Sequence, residues 1–212
     1  MKRRFFVIIA FILLIWFGTT VLKIYSEQVI TIEHLKEFYE SNYTAQTAEE
    51  LLNHRISGHW FSWVKAFIEL LVQVVLLWLI FITSFSFFSI KISGYNLFKA
   101  LLITINLVTI RKILKILIFD FKDTFTFNDF KGTNPFSVSY FFKNTGVSPE
   151  IMFTLDIFHI FQAAFVFVLW YILIKTQKSV NKIQLFVIIS LTYFIILTIL
   201  SLTGAFLIIL KT

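Results

Sequence analysis

Long runs of apolar residues recur five times along the 212-residue chain, and polar stretches separate them. Each run is about as long as the helix of roughly 20 residues that crosses the hydrocarbon core of a bilayer. Strands of a membrane β-barrel would instead alternate apolar and polar residues. We therefore predict an all-α, polytopic membrane protein with five transmembrane helices, at residues 5–22, 60–90, 97–118, 156–174 and 183–210.

The two longest polar stretches have different patterns. Residues 24–58 place apolar side chains such as Ile32 and Leu35 at helical spacing among charged ones. This pattern indicates a short amphipathic helical hairpin that lies on the outer face of the membrane. We expect its second helix to begin at residues 47–50, which match a capping box. Residues 119–155 contain both prolines and many phenylalanines, and we expect an outer, aromatic-rich loop in the headgroup region.

Composition supports the membrane interpretation. The chain is 58% hydrophobic and 15% charged, with a mean hydropathy of +0.84, whereas roughly a quarter of an ordinary soluble domain is charged. An apolar excess of this size calls for lipid contact, because a domain of this length has too little interior to bury it. The absence of Cys excludes disulfides and thiolate metal sites.

The first apolar run follows Lys2, Arg3 and Arg4, an arrangement that signal peptides share. No Ala-x-Ala cleavage site follows the run, since the chain continues as Gly-Thr-Thr-Val-Leu-Lys. We therefore expect an uncleaved membrane anchor.

The distribution of charged residues indicates an orientation. If the N-terminus is cytoplasmic, the inner segments are residues 1–4, 91–99 and 175–182, which contain eight Lys or Arg residues and no Asp or Glu. All twelve acidic residues then lie on the opposite side. Because short cytoplasmic loops are enriched in Lys and Arg, we predict an N-in, C-out orientation in a bacterial inner membrane.

Several ionisable and amide side chains interrupt the predicted spans. A cation near the bilayer centre costs roughly 3 kcal/mol, so such residues need partners, a water-filled cavity or lipid headgroups. The predicted orientation brings them to one depth in the outer leaflet, with residues 156, 159 and 162 on one face of the fourth span. This predicted polar layer consists of Glu69, Gln73, Arg111, Lys112, Lys115, Asp156, His159 and Gln162.

Two interpretations of the predicted polar layer stay open. In the first it forms a conduction path, a proton relay or a binding pocket, which are the roles that intramembrane ionisable groups usually mark. In the second it is a structural ion-pair cluster that fixes helix register, with lysines extending to the outer headgroups.

Patterns typical of catalysis or metal binding are absent from the sequence. The histidines are scattered without metal-ligand spacing, at residues 34, 54, 59 and 159. No Gly-x-Ser-x-Gly, Walker loop or paired-carboxylate motif occurs. We therefore expect a protein that is not an enzyme and has no metal or cofactor. Small and polar residues of the last span, among them Ser190 and Gly204, suit close helix packing within one subunit or between subunits.

Two parts of the chain resemble the Yip1 family of five-span membrane proteins. One is Ser-Gly-Tyr-Asn-Leu-Phe at residues 93–98, similar to the turn before that family's third helix. The other begins with Gly-Val-Ser-Pro at residues 146–149 and continues through Leu-Asp-Ile-Phe-His-Ile-Phe-Gln at residues 155–162 to the last span. It is similar to the family's entry into its fourth helix. Together the similar regions cover residues 93–118 and 135–210.

The Yip1 resemblance implies five spans, an N-in, C-out orientation and a non-enzymatic role in membrane organisation. The chain departs from the trafficking members of the family in the four residues before its first predicted span and in the insertion at residues 24–58. We therefore expect an integral membrane scaffold or accessory subunit that acts through helix packing and partner recruitment.

An oligomeric pore with a charged outer-leaflet lining is the alternative to the scaffold. By size, span count and AT-rich composition the chain also resembles the small membrane accessory proteins encoded beside RNA-targeting CRISPR effectors of antiviral systems. The expected partners are the lipid bilayer, a second copy or another membrane protein, and anionic lipid at the inner basic turns. A nucleic-acid partner is disfavoured, since topology alone accounts for the basic residues.

Overall fold

The computed structural model describes residues 18, 29–57, 59–122, 125–132, 134–142, 145–177 and 180–209. The regular secondary structure of these residues is helical, apart from one isolated antiparallel bridge between Ser137 and His159. The predicted all-α class is therefore confirmed for the described part of the chain. The predicted span 5–22 lies outside the described residues, except for Gly18.

The described helices have the following bounds in chain order: α1 (Ile32–Asn42), α2 (Ala45–Ser57), α3 (His59–Phe87), α4 (Gly94–Thr104), α5 (Asn106–Asp120), α6 (Phe127–Gly132), a 3-10 helix (Val138–Phe142), α7 (Pro149–Ile157), α8 (Ile160–Thr176) and α9 (Lys182–Ile209). Two of these elements, α6 and the 3-10 helix, lie in residues 119–155, which are predicted to form a loop, and α7 begins there and ends two residues beyond it.

Two of the described helices contain segments long and apolar enough to cross a membrane. Phe67–Phe87 of α3 has a mean hydropathy of 2.3, and Lys182–Ile209 has one of 2.6. The apolar helix α8 has 17 residues, about 26 Å at a rise of 1.5 Å per residue. It is therefore slightly shorter than the roughly 30 Å hydrocarbon core of a bilayer.

The chain divides into two compact units. The first comprises Met1–Gln73 and Thr109–Thr133, and the second comprises Val74–Val108 and Asn134–Thr212. The boundaries after Gln73 and after Val108 fall inside helices α3 and α5.

In the first unit, α1 contacts α2 and α6. Helix α1 begins at a capping box, in which the Thr31 hydroxyl accepts from the His34 amide at 3.4 Å and His34 Nδ1 accepts from the Thr31 amide at 3.3 Å. Helix α2 begins at Ala45, two residues before the start that the sequence predicts. Thr47 is therefore inside the first turn, where its hydroxyl lies 2.9 Å from the Thr44 hydroxyl.

An aromatic cluster forms the core of the first unit. Phe119, at the end of α5, is fully buried, and its ring centroid lies 5.2 Å from that of Phe125 and 5.1 Å from that of Phe130. Val29 and Ile116 are buried in the same cluster. Phe125 and Phe130 thus pack on Phe119 at the end of α5.

In the second unit, α9 contacts α7 and α8, α8 also contacts α4, and α7 contacts the 3-10 helix. The interior is aliphatic, with fully buried Leu101, Leu169, Leu173 and Ile189. Since these side chains recur at helical spacing on α4, α8 and α9, each helix presents one apolar stripe to its neighbours.

The predicted span 97–118 is two helices, α4 and α5, that meet at Ile105. At the junction the Asn106 side chain turns back and donates to the carbonyls of Leu102, at 2.9 Å, and Ile103, at 3.2 Å. Asparagine competes with the helix for backbone partners in this way. The segment is therefore not the continuous helix that its apolar run predicts.

Candidate binding site

A cavity of about 600 Å³ lies in the second unit. Its wall is formed by the start of the 3-10 region, the entry into α8 and the middle of α9. Most lining side chains are apolar, and the polar ones are Ser137, His159, Gln162 and Ser190. Small-molecule sites have volumes of about 300–1,000 Å³ and this kind of apolar wall with a few polar groups.

A short extended segment positions the entry into α8. Phe158 and His159 have extended backbones (ψ 102° and 160°) between α7 and α8. The Val138 amide donates to the Phe158 carbonyl at 2.9 Å, and the Ile160 amide donates to the Phe136 carbonyl at 3.1 Å. This pairing places Ser137 opposite His159 at the cavity wall.

The extended segment corrects one prediction made from the sequence. Asp156, His159 and Gln162 were expected on one helix face, but Asp156 is in α7, His159 precedes α8 and only Gln162 is in the first turn of α8. The reason is tertiary, since residues 158 and 160 pair with backbone groups near residue 137 instead of continuing the helix.

Gln162 connects α8 to α9 through its side chain. The Tyr193 hydroxyl donates to Gln162 Oε1, and the Tyr193 ring stacks on Phe165 with centroids 4.5 Å apart. Gln162 Nε2 lies 3.2 Å from His159 Nε2. Because Oε1 accepts from Tyr193, the amide N–H faces His159, whose Nε2 is then the acceptor.

A second polar chain holds Asp156. The Ser139 hydroxyl donates to Asp156 Oδ1 at 3.0 Å, and the Ser137 hydroxyl donates to the Asn134 carbonyl at 2.8 Å. The two hydroxyl oxygens are 2.6 Å apart. This series of hydrogen bonds ties α7 to the 3-10 helix.

Five residues of the predicted polar layer belong to the first unit. Glu69 Oε1 lies 3.9 Å from Lys65 Nζ, with both side chains mostly exposed. Lys115 Nζ lies 4.8 Å from the centroid of the Phe130 ring, a favourable cation–π distance. The remaining three are exposed or half-exposed: Gln73, Arg111 and Lys112.

The other three, Asp156, His159 and Gln162, belong to the second unit, where the hydrogen bonds above tie Asp156 to the 3-10 helix and pair His159 with Gln162. That the residues of the two units form one layer stays a prediction. Among the described residues, no group of three His, Asp or Glu side chains could hold a metal ion.

Sequence reasoning missed Tyr193, Ser137 and Ser139 as members of the polar network. Tyr193 lies inside the most apolar run of the chain, where a single hydroxyl leaves hydropathy almost unchanged. The two serines lie in a stretch predicted as a loop. A signal was available in Tyr193, because a phenol buried in an apolar helix usually finds a hydrogen-bond partner.

Replacement of Tyr193 by Phe is expected to lower the free energy of unfolding by about 1–3 kcal/mol, because Gln162 Oε1 loses its donor in a buried site. Tyr193→Phe combined with Gln162→Leu removes both partners of this bond, and only part of the loss should be recovered, because His159 Nε2 then loses its contact with Gln162 Nε2. Thermal unfolding in one detergent measures both effects. A single variant as stable as the unaltered protein would show that this hydrogen bond does not stabilise the α8–α9 contact.

The chain was compared with protein-family models, with curated proteins and with solved structures. None of the three comparisons gives a match.

Proposed function

We propose that this chain is a non-enzymatic integral membrane protein of Yip1-like type. In this proposal it has five spans with an N-in, C-out orientation, and it serves as a scaffold or accessory subunit that recruits a partner. The observation that carries the proposal is helix α9. Its 28 residues extend about 42 Å at 1.5 Å per residue, more than a bilayer core of roughly 30 Å requires.

The surface of α9 supports a membrane location. One side of the helix contacts α7 and α8, while large apolar side chains elsewhere on it are more than half exposed, among them Phe194, Ile195, Leu202 and Phe206. A continuous apolar surface of this kind is rare on soluble monomers and marks contact with lipid or a partner.

The junction at Ile105 is compatible with a third span. A helix break inside a membrane needs partners for the backbone groups that it frees. The Asn106 side chain supplies a donor to the carbonyls of Leu102 and Ile103. An interrupted span formed by α4 and α5 therefore leaves these carbonyls satisfied.

The polar residues of α3 support partner recruitment. Glu69 and Gln73 are exposed one turn apart inside the apolar segment Phe67–Phe87. Exposed polar groups in a spanning helix tend to face a protein partner or water rather than lipid. In the scaffold proposal another subunit covers this face.

The same face favours a second candidate function. In an oligomer, Glu69 and Gln73 from several copies would line a pore, and such a pore would suit a membrane accessory of an antiviral, CRISPR-linked system. Reconstitution into liposomes separates the two functions. The scaffold predicts no ion or dye flux, whereas flux that is altered by Glu69→Gln would favour the pore.

The proposed membrane role is tested by extraction and by size. We expect the protein to remain in the membrane fraction after alkaline carbonate treatment and to elute from detergent as a complex with a second copy or a co-purifying membrane protein. Release by carbonate would contradict membrane insertion. A monomer without any partner in mild detergent would contradict recruitment.

The double variant Arg111→Leu, Lys112→Leu is expected to change the mass of this complex, because both cations lie at the surface of α5, where a cation in a span needs a polar partner, and the variant removes them. Ile110→Ala with Ile113→Ala is the matched control, since these exposed residues lie on the same helix. An unchanged mass in the double variant would show that the two cations only extend to headgroups.

A further inference from the structure

The cavity of the second unit has a property that a scaffold does not need. Its wall combines aromatic and aliphatic side chains, including Phe136, Phe141, Phe158, Phe194 and Leu197. Among the described residues, no Asp, Glu, Lys or Arg side chain lines it. An ionised group placed there would be desolvated without a counter-charge, which is costly. The cavity therefore favours an uncharged, mainly apolar occupant.

The polar side of the cavity can form hydrogen bonds with such an occupant. Gln162 Nε2 has two N–H groups, and one of them faces His159. The Ser190 hydroxyl also lines the cavity and makes no hydrogen bond within the described part of the chain. These two groups can donate to a hydroxyl or carbonyl oxygen, while the Tyr193 hydroxyl holds the Gln162 amide in place.

Two exposed aromatic residues give the cavity an apolar entrance. The Phe141 side chain is 80% exposed and Phe194 is 57% exposed, and both line the cavity. An apolar chain can therefore enter the cavity across these two aromatic side chains.

We propose that this cavity binds a neutral, single-chain amphiphile of the monoacylglycerol class. The acyl chain occupies the part lined by phenylalanine and leucine, and the head group accepts hydrogen bonds from Gln162 and Ser190. The inference goes beyond the scaffold proposal, because it depends only on the fold of the second unit and not on the number of spans.

The test uses a long-chain monoacylglycerol that carries a photoactivatable diazirine in its chain, incorporated into liposomes with the purified protein. We expect label on peptides that contain residues 136–141 and 158–166. A lysophosphatidylglycerol of the same chain length and with the same diazirine is the charge control. It should label these peptides about tenfold less, which corresponds to roughly 1.4 kcal/mol.

Adjacent alanines on α8 provide a matched pair of variants. Ala163 lines the cavity and Ala164 does not. Ala163→Phe should fill the cavity and lower labelling about tenfold or more, whereas Ala164→Phe should leave it within about twofold of the unaltered protein. The unfolding temperatures of the two variants are compared first, so that a folding defect is recognised.

A third variant keeps the proposal testable if Ala163→Phe does not fold. Gln162→Leu with Tyr193→Phe removes the proposed head-group donor and its own partner together, and it should lower labelling by the monoacylglycerol, whereas labelling by the charged probe should stay weak because the variant adds no counter-charge. Equal labelling by the two probes in the unaltered protein would overturn the proposal. So would label spread evenly along the exposed face of α9, including Phe206. Neither result would affect carbonate extraction, so failure of this inference and failure of the membrane proposal are distinguishable.

Discussion

Phe81→Ala is expected to lower the free energy of unfolding by about 3–5 kcal/mol, the range for loss of a fully buried aromatic side chain. Phe81 is fully buried on α3, and its ring centroid lies 6.0 Å from that of Phe85. Removal of the ring leaves a void among the packed helices. Because helix association in lipid depends on van der Waals packing more than on the hydrophobic effect, the void remains costly inside a bilayer.

Phe87→Ala is the matched control for this prediction. Phe87 is on the same helix but is 82% exposed, so its loss should change the free energy of unfolding by no more than about 0.5 kcal/mol. Unfolding of the purified protein in one detergent, followed by helical circular dichroism, measures both variants. Equal effects at the two positions would contradict the burial of Phe81 and the exposure of Phe87.

Gly204→Leu is expected to lower the free energy of unfolding by about 1–3 kcal/mol, as overpacking of a helix contact does. A Cβ atom at Gly204 would lie 2.0 Å from Cε1 of Phe153, so the Phe153 ring must move. Phe153 belongs to α7, which contacts α9 and also carries Asp156. We therefore expect the variant to disturb the hydrogen bond between Ser139 and Asp156 as well.

A second substitution tests the cause of this effect. Phe153→Ala in the Gly204→Leu background removes the clashing ring. It should recover at least half of the decrease in unfolding temperature that Gly204→Leu causes. The same substitution in the unaltered protein should instead lower that temperature, since it removes a contact. If Gly204→Leu is harmless, or if Phe153→Ala fails to rescue it, the close α7–α9 contact is not present as described.

The parts of the fold that the sequence predicts well are those governed by local composition. The last predicted span, residues 183–210, differs from α9 by one residue at each end, because a long apolar run without Pro leaves the helix no local competitor. The all-α class follows for the same reason. Helix starts are predicted less closely. α2 begins two residues before its predicted capping box, because the Thr44 carbonyl already accepts from the Ala48 amide at 2.8 Å.

The parts that the sequence does not predict depend on contacts between distant segments. The extended backbone at Phe158 and His159 exists because it pairs with residues 136 and 138, some 20 residues earlier. The break at Ile105 depends on the hydrogen bonds that the Asn106 side chain donates to the carbonyls of Leu102 and Ile103. Tyr193 and Gln162 are 31 residues apart, so neither residue indicates the other in a sequence pattern. The sequence therefore predicts His159 and Gln162 as site residues, but it does not predict the hydrogen bonds that hold them in place.

The central claim, membrane insertion with an N-in, C-out orientation, is tested most directly by labelling single cysteines in intact cells. The natural chain has no Cys, so Glu40→Cys in α1 and Gln177→Cys after α8 each provide one unique thiol. A membrane-impermeant maleimide should label residue 40 in intact cells and residue 177 only after the membrane is opened. Labelling of residue 177 from outside an intact cell, with residue 40 protected, would contradict the orientation. Equal labelling of both residues in intact cells would contradict the claim that they lie on opposite sides of the membrane.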